Sequence, residues 1–290
     1  MKIDLFVSGE LGFRILRKFV DEKKMQILMV CTDNKSQSII SFCEKIDLKC
    51  YIGNPRTAGA FSSLSSSPIP DIILSVNYLY ILPKHIYERS KLFSINIHGS
   101  LLPKYRGRTP HVWAIINGEK YVGVTAHLIT EECDAGKVIL QQKIEVNSEE
   151  TGAQILNKFY EIYPLMIDEL FNKIESGNIY FQEQDETKAT YFGKRTPEDG
   201  RIDWNWFSNR IKNWVRAQAY PYPGAFSNVG GTKIIINKIE ITDIGFSNEM
   251  RNGLILENEG HSFLVKVPDR VIRVLAFEFD GLINKGEILG

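Results

Sequence analysis

The sequence predicts an α/β protein, a mostly parallel sheet with helices between its strands, followed by a small all-β unit. Three observations lead there. The first half alternates short apolar runs with segments whose apolar residues recur at helical spacing, the pattern of strand–helix units joined by right-handed crossovers. DIILSV (71–76) is continuously apolar, as in a strand buried on both faces. The last third holds five short strand-like runs separated by turn residues, which fits a small antiparallel barrel or sandwich.

IDLFV (3–7) is the first strand, and the segment after it sets Leu11, Ile15 and Phe19 on one helix face. QILMVCT (26–32) is a second strand, SQSIISFCEKIDL (36–48) a second helix and KCYI (49–52) a short third strand. SSLSSSP (62–68) is a low-complexity patch with the composition of a flexible loop. After DIILSV, a short helix begins near Pro83, and FSINI (93–97) is the next buried strand. PHVWAIINGE is a helix ending near Gly118. YVGVTAHLIT and KVILQQKIEV are two strands separated by EECDAG, a turn with Asp and Gly at its centre. Residues 151–177 are strongly helical, with Pro164 expected to kink or interrupt them. The polar stretch 178–204 is a crossing into a second unit, where SNRIKNWVRAQA (208–219) precedes AFSNV, TKIIINKIEI, LILE, FLVKV and VIRVLAFEF. The expected domains are 1–185, a linker 186–204, and 205–290.

The chain has 290 residues, enough for one large domain or two unequal ones. Lys plus Arg equals Asp plus Glu at 35 each, which argues against a nucleic-acid partner held by counterion release. Cys31, Cys43, Cys50 and Cys133 lack CxxC spacing and a histidine cluster, so they read as reduced thiols rather than a metal site. No signal peptide or membrane-length apolar segment is found, and a cytoplasmic protein with no membrane partner is the expectation.

The chemistry concentrates in SINIHGSLLPKYRGRTP (94–110). Strand alternation puts Asn96 and His98 on one face, opposite Ile95 and Ile97. They stand at the carboxyl end of a parallel strand, where open α/β sheets place ligands. From the strand alone the plainer reading stays open, that both polar groups are satisfied by loop backbone. The sequence has no HExxH, GxSxG, GxGxxG or Walker lysine motif, so metal, covalent and hydride chemistry have weak support. Polarisation and proton transfer remain. An amide N–H stabilises an oxyanion, an imidazole moves protons near neutral pH, and Asp134 either orients that imidazole or is simply a turn residue. Such a trio suits acyl transfer to an amine that is itself the nucleophile.

NIHGSLLPKYRGRTP together with GVTAHLITEECDAG closely resembles the folate-dependent formyltransferases, and RTPEDGRIDW, VRAQAYPYPGAF and GGTKIII extend the resemblance over the whole chain. It implies a Rossmann-like catalytic domain and a small C-terminal OB-like β-barrel domain. It assigns Asn96, His98 and Asp134 as the catalytic trio and N10-formyltetrahydrofolate as the formyl donor. YRGRTPHVWAIINGE, with Arg108, Trp113 and Gly118, is similar to the sugar N-formyltransferase branch. That branch includes the formyltransferase domain of the bifunctional enzyme acting on lipid A aminoarabinose. Thr109, His111 and Val112 depart from the branch's usual residues.

The implied substrate is a nucleotide-linked amino-deoxysugar for lipopolysaccharide or O-antigen synthesis in a bacterium; the alternative is a methionyl-tRNA formyltransferase. By the resemblance, the backbone of Tyr80, Ile81 and Leu82 pairs with the pterin edge, although these residues alone read as the end of a core strand. Thr130, Glu131, Glu132 and Cys133, with Asp134, form a loop closing over it. Arg108 faces the substrate in this reading, while a solvated loop arginine is the plainer one. Ser8, Gly9 and Glu10, which follow the first strand, are expected to approach the nucleotide phosphates. Sugar enzymes of the family tend to be dimers through the C-terminal region, so a homodimer is the family-level expectation.

Overall fold

The structure, a computed structural model, describes residues 1–22, 25–57 and 67–290. Most of the serine-rich patch, 62–66, lies outside the described residues. The chain divides into two compact units. One comprises Met1–Gly107, Gly123–Lys143 and Lys158–Tyr191, the other Arg108–Val122, Ile144–Asn157 and Phe192–Gly290.

The chain runs β1 (Lys2–Val7), α1 (Gly9–Glu22), β2 (Gln26–Thr32), α2 (Gln37–Lys45), β3 (Cys50–Ile52), β4 (Ile72–Val76), α3 (Lys84–Tyr87) and β5 (Phe93–His98). It continues with β6 (Arg106–Gly107), α4 (Pro110–Ile116), β7 (Tyr121–Leu128), β8 (Val138–Glu145), α5 (Gly152–Glu175) and β9 (Tyr191–Phe192). α6 (Ser208–Gln218) is followed by β10 (Ala225–Val229), β11 (Thr232–Thr242), β12 (Ile255–Asn258), β13 (Phe263–Lys266) and β14 (Val271–Glu278).

The first unit carries a seven-stranded sheet in the order β3-β2-β1-β4-β5-β7-β8. β3, β2, β1, β4 and β5 are mutually parallel, while β7 runs antiparallel to β5. β4 is buried along its whole length, as the unbroken DIILSV run requires. The chain builds outward from β1 to β3, then returns to β1's other side with β4. That reversal is the topological switch point at which doubly wound sheets bind ligands, and β5 stands next to it.

α1 buries Leu11, Gly12, Ile15, Leu16 and Phe19, the stripe that its periodicity predicts. At Gly12 an added Cβ would lie 3.0 Å from the Val7 Cβ, so only glycine lets the helix approach this closely. Pro164 does not interrupt α5, which runs unbroken from Gly152 to Glu175. Phe159 and Tyr163 before it, and Met166, Ile167 and Leu170 after it, are all buried. Their packing on both sides of the proline outweighs the one backbone hydrogen bond it cannot make.

The second unit holds α4, α6 and a five-stranded antiparallel half-barrel sheet in the order β10-β11-β14-β13-β12. β10 alternates buried and partly exposed residues at every position, the signature of a sheet with one solvated face. The Arg195 guanidinium lies over both Trp113 and Trp214, at 4.8 and 4.6 Å from the ring centroids. Among the described residues no helix is long and apolar enough to cross a membrane.

Candidate active site

β5 lies inside the sheet, and of its polar side chains Ser94 and His98 are buried and Asn96 is partly buried. His98 is 7% exposed and Ser94 8%. Asn96 and His98 project from the same face, and Asp134 comes to them from the β7–β8 loop. The Asp134 Oδ1 accepts from Asn96 Nδ2 at 3.4 Å, and its Oδ2 lies 3.6 Å from His98 Nδ1. The structure therefore brings the three expected residues together.

The histidine's chemistry follows from its partners. His98 Nε2 lies 2.8 Å from the Tyr105 carbonyl oxygen. A carbonyl can only accept, so Nε2 carries the proton and donates it. Nδ1 is then the ring atom able to take a proton, and it is the one beside Asp134. A proton arriving at Nδ1 completes an imidazolium held between a carbonyl and a carboxylate.

Asp134 is set up to remain charged. Burial pushes its carboxyl up, but the nearby His98 and His127 rings and the Gly107 N–H outweigh it and hold the group well below the usual carboxylate range. The Gly107 N–H donates to Oδ2 at 2.8 Å. The residue adopts left-handed backbone (φ 55°), which aspartate tolerates better than most residues.

That strained conformation is held by a clamp. Gln184 Nε2 donates to the Asp134 and Gly136 carbonyls, each at 2.7 Å. Gln184 Oε1 in turn accepts from Arg106 Nη2 at 2.8 Å and Nε at 3.2 Å. The arginine is fully buried. It also makes a two-pronged pair with Glu186, at 2.6 and 2.9 Å, and donates to the Tyr191 hydroxyl. Since guanidinium only donates, it fixes which end of the Gln184 amide faces the loop. Gly136 completes the turn: an added Cβ would lie 1.9 Å from the Leu128 carbonyl oxygen.

Sequence reasoning missed a second histidine. His127 on β7 pairs in register with Asn96 across the antiparallel ladder. Asn96 Nδ2 donates to His127 Nε2 at 3.1 Å, and the His127 Nδ1 lies 2.8 Å from its neighbour's Leu128 carbonyl. The signal was present, because Thr125 and His127 repeat on β7 the i, i+2 pattern of Asn96 and His98. Arg106 and Gln184 had no local signal: their contacts join residues 78 apart.

The remaining expected residues fall as follows. Tyr80, Ile81 and Leu82 are not a strand end. β4 stops at Val76, because Asn77 turns into left-handed backbone (φ 54°) and donates its Nδ2 to the Ser8 carbonyl. Thr130 Oγ1 donates to the Glu132 carbonyl, Glu132 accepts from the Tyr191 hydroxyl at 2.9 Å, and Glu131 is exposed. Cys133 is exposed, with its thiol 3.4 Å from Asp134 Oδ2. Arg108 belongs to the second unit and is exposed, and its main-chain N–H donates to the Phe192 carbonyl.

Ser8 is buried, Gly9 donates its N–H to Ser36 Oγ at 2.8 Å, and Glu10 pairs with Arg14 at 2.8 Å. Among the described residues no hydrogen bond links these three to the trio, and no three His, Cys, Asp or Glu side chains group as metal ligands.

An amide N–H, an imidazole with one ring atom able to accept a proton, and a carboxylate held well below its usual range can together polarise a carbonyl and move a proton. The chain belongs to the formyl transferase family. The formyl transferase model matches residues 54–167 and the formyl transferase C-terminal domain model matches 194–282. The chain is 33% identical, over 99% of its length, to the bifunctional polymyxin resistance protein ArnA of Wigglesworthia glossinidia brevipalpis, and spans 45% of that relative.

The fold is similar to WlaRD, a sugar 3N-formyl transferase solved in the presence of dTDP and 5-N-formyl-THF. The TM-score is 0.69, with 20% identity, 95% of this chain covered and 97% of that one. It is also similar to an N-formyltransferase from Helicobacter canadensis in complex with folinic acid and dTDP-3-aminofucose. There the TM-score is 0.66, with 19% identity and coverage of 94% and 98%.

Proposed function

We propose that the protein transfers the formyl group of N10-formyltetrahydrofolate to the amine of a nucleotide-linked amino-deoxysugar, for surface polysaccharide. The observation that carries this reading is the commitment of His98: Nε2–H is bound to the Tyr105 carbonyl, and Nδ1 stands 3.6 Å from a carboxylate. The amine nitrogen bonds to the formyl carbon, and the bond from that carbon to the folate nitrogen breaks. His98 Nδ1 takes the proton released by the amine, Asp134 stabilises the resulting charge, and the departing nitrogen receives a proton in return. Asn96 donates to the oxygen as negative charge develops on it.

The folate donor fits an observation beside the sheet. Among the described residues, the main-chain groups of Tyr80, Ile81 and Leu82 have no backbone hydrogen-bond partner. Main-chain donors and acceptors not used within the backbone suit the edge of a flat heterocycle. The sugar branch is supported by the RGRTPHVW loop and by the relatives' own ligands. The alternative acceptor is methionyl-tRNA, against which the zero net charge argues.

The test is incubation with N10-formyltetrahydrofolate and a panel of UDP-, dTDP- and GDP-linked amino sugars, followed by mass spectrometry. One sugar gaining a formyl group, and none gaining it with His98→Ala, is the expected result. Formylation of charged initiator tRNA faster than any sugar overturns it.

A further inference from the structure

Asn96 has two amide protons, and both are engaged by side chains: one by His127 Nε2 at 3.1 Å, the other by Asp134 Oδ1 at 3.4 Å. The two contacts are unequal, and the longer is the weaker. His127 can accept only because of its own neighbour. The Leu128 carbonyl, 2.8 Å from Nδ1, requires the proton on Nδ1, which in the neutral ring leaves a lone pair on Nε2, although Asp134 Oδ1 stands 3.5 Å from that atom as well. Turned the other way, the Asn96 amide would set its oxygen against that lone pair and against a carboxylate. With the opposite His127 tautomer, Nε2–H would instead attract the amide oxygen and rotate the N–H groups away. The order of causes is thus Leu128 carbonyl, His127 tautomer, Asn96 orientation.

We propose that His127 is a positioning residue for the transfer reaction. Its Nε2 lone pair pins one Asn96 N–H, so that the second, loosely held by Asp134, is the donor that swings to the formyl oxygen. This rests on the formyl-transfer reading for its kinetic test but not for its spectroscopic one.

The kinetic test compares His127→Leu with His127→Gln, whose side-chain oxygen restores an acceptor. His127→Leu lowers kcat roughly 10- to 100-fold, less than loss of an oxyanion donor itself, and leaves KM for both substrates within about twofold. His127→Gln recovers most of that loss. In the Asn96→Ala background, His127→Leu has no further effect, because there is no amide left to orient.

The spectroscopic test is nitrogen NMR of the unliganded wild type, which reads the His127 tautomer without turnover. Nδ1 is expected protonated and Nε2 bare. An Nε2–H tautomer overturns the proposal, as does full additivity with Asn96→Ala or equal kcat for Leu and Gln. If no acceptor is formylated by any variant while the tautomer is as expected, the proposed function fails and the positioning of Asn96 stands.

Discussion

β5 and β11 both carry polar side chains, but under opposite constraints. β11 exposes Thr232, Lys233, Lys238 and Glu240 to solvent between buried isoleucines, so water can satisfy each of them. Glu240 pairs with Arg273 at 3.2 Å, the carboxylate exposed and the arginine partly so, an arrangement of little energetic weight. β5 lies inside a sheet, flanked by β4 and β7. Its histidine is buried and its asparagine partly so, and within the fold they meet a second histidine, a carboxylate and a carbonyl. Polar residues on a strand predict function only where the strand denies them water.

Substitutions can break or sharpen that contrast. The largest effect is expected from Asp134→Asn, which keeps the shape but removes the charge facing His98 Nδ1. Turnover should fall on the order of 10^3-fold, by analogy with other carboxylates that support a catalytic imidazole. A loss under tenfold, measured in steady-state kinetics, would mean that the pairing is structural. Asn96→Ala comes next, with about 3 kcal/mol of transition-state stabilisation lost and KM little changed.

Two buried groups extend the contrast to pH. Burial pushes the Asp4 carboxyl up to about 7 despite the attraction of Arg89 and Lys49. A raised folded pKa gives stability that is present below the unfolded value and lost as pH rises through about 7. Denaturant unfolding between roughly pH 4 and 7 should therefore show a decline that Asp4→Asn removes. In the second unit, burial pushes the His111 imidazole down to about 4, and its Nε2 meets the Tyr222 hydroxyl at 2.7 Å. A depressed histidine works in the opposite sense: its stability is present above the unfolded pKa and lost as pH falls through about 4. His111→Gln should flatten that acid limb.

The smaller effects separate clamp from surface. Gln184→Leu leaves two loop carbonyls and one face of Arg106 without their partner, and should lower stability by about 1–2 kcal/mol together with a fall in activity. Glu240→Gln on β11 should change stability by less than about 0.5 kcal/mol. Equal losses in the two variants would erase the distinction between the strands.

Much of the molecule was legible in its residues. Continuous apolar runs and helical spacing marked every long strand and helix, because burial on one or two faces leaves a period that survives in one dimension. The Asn96–His98 alternation was legible for the same local reason, whereas Asp134, in the turn EECDAG, joined them only through the family resemblance. Tertiary context shaped the outcome at two places that the local pattern left open. Tyr80–Leu82 left the sheet because Asn77 turned the chain early, and α5 continued through Pro164 because its flanking residues were buried.

By itself the sequence determined the two kinds of sheet and the chemistry available at the end of β5, since strand alternation and residue type are local properties. Only the tertiary structure decided how that chemistry is oriented. The direction of β7, which sets His127 opposite Asn96, and the Arg106–Gln184 clamp on Asp134 depend on pairings between segments far apart in the chain. No period along the sequence encodes which hydrogen-bond donor will meet which acceptor.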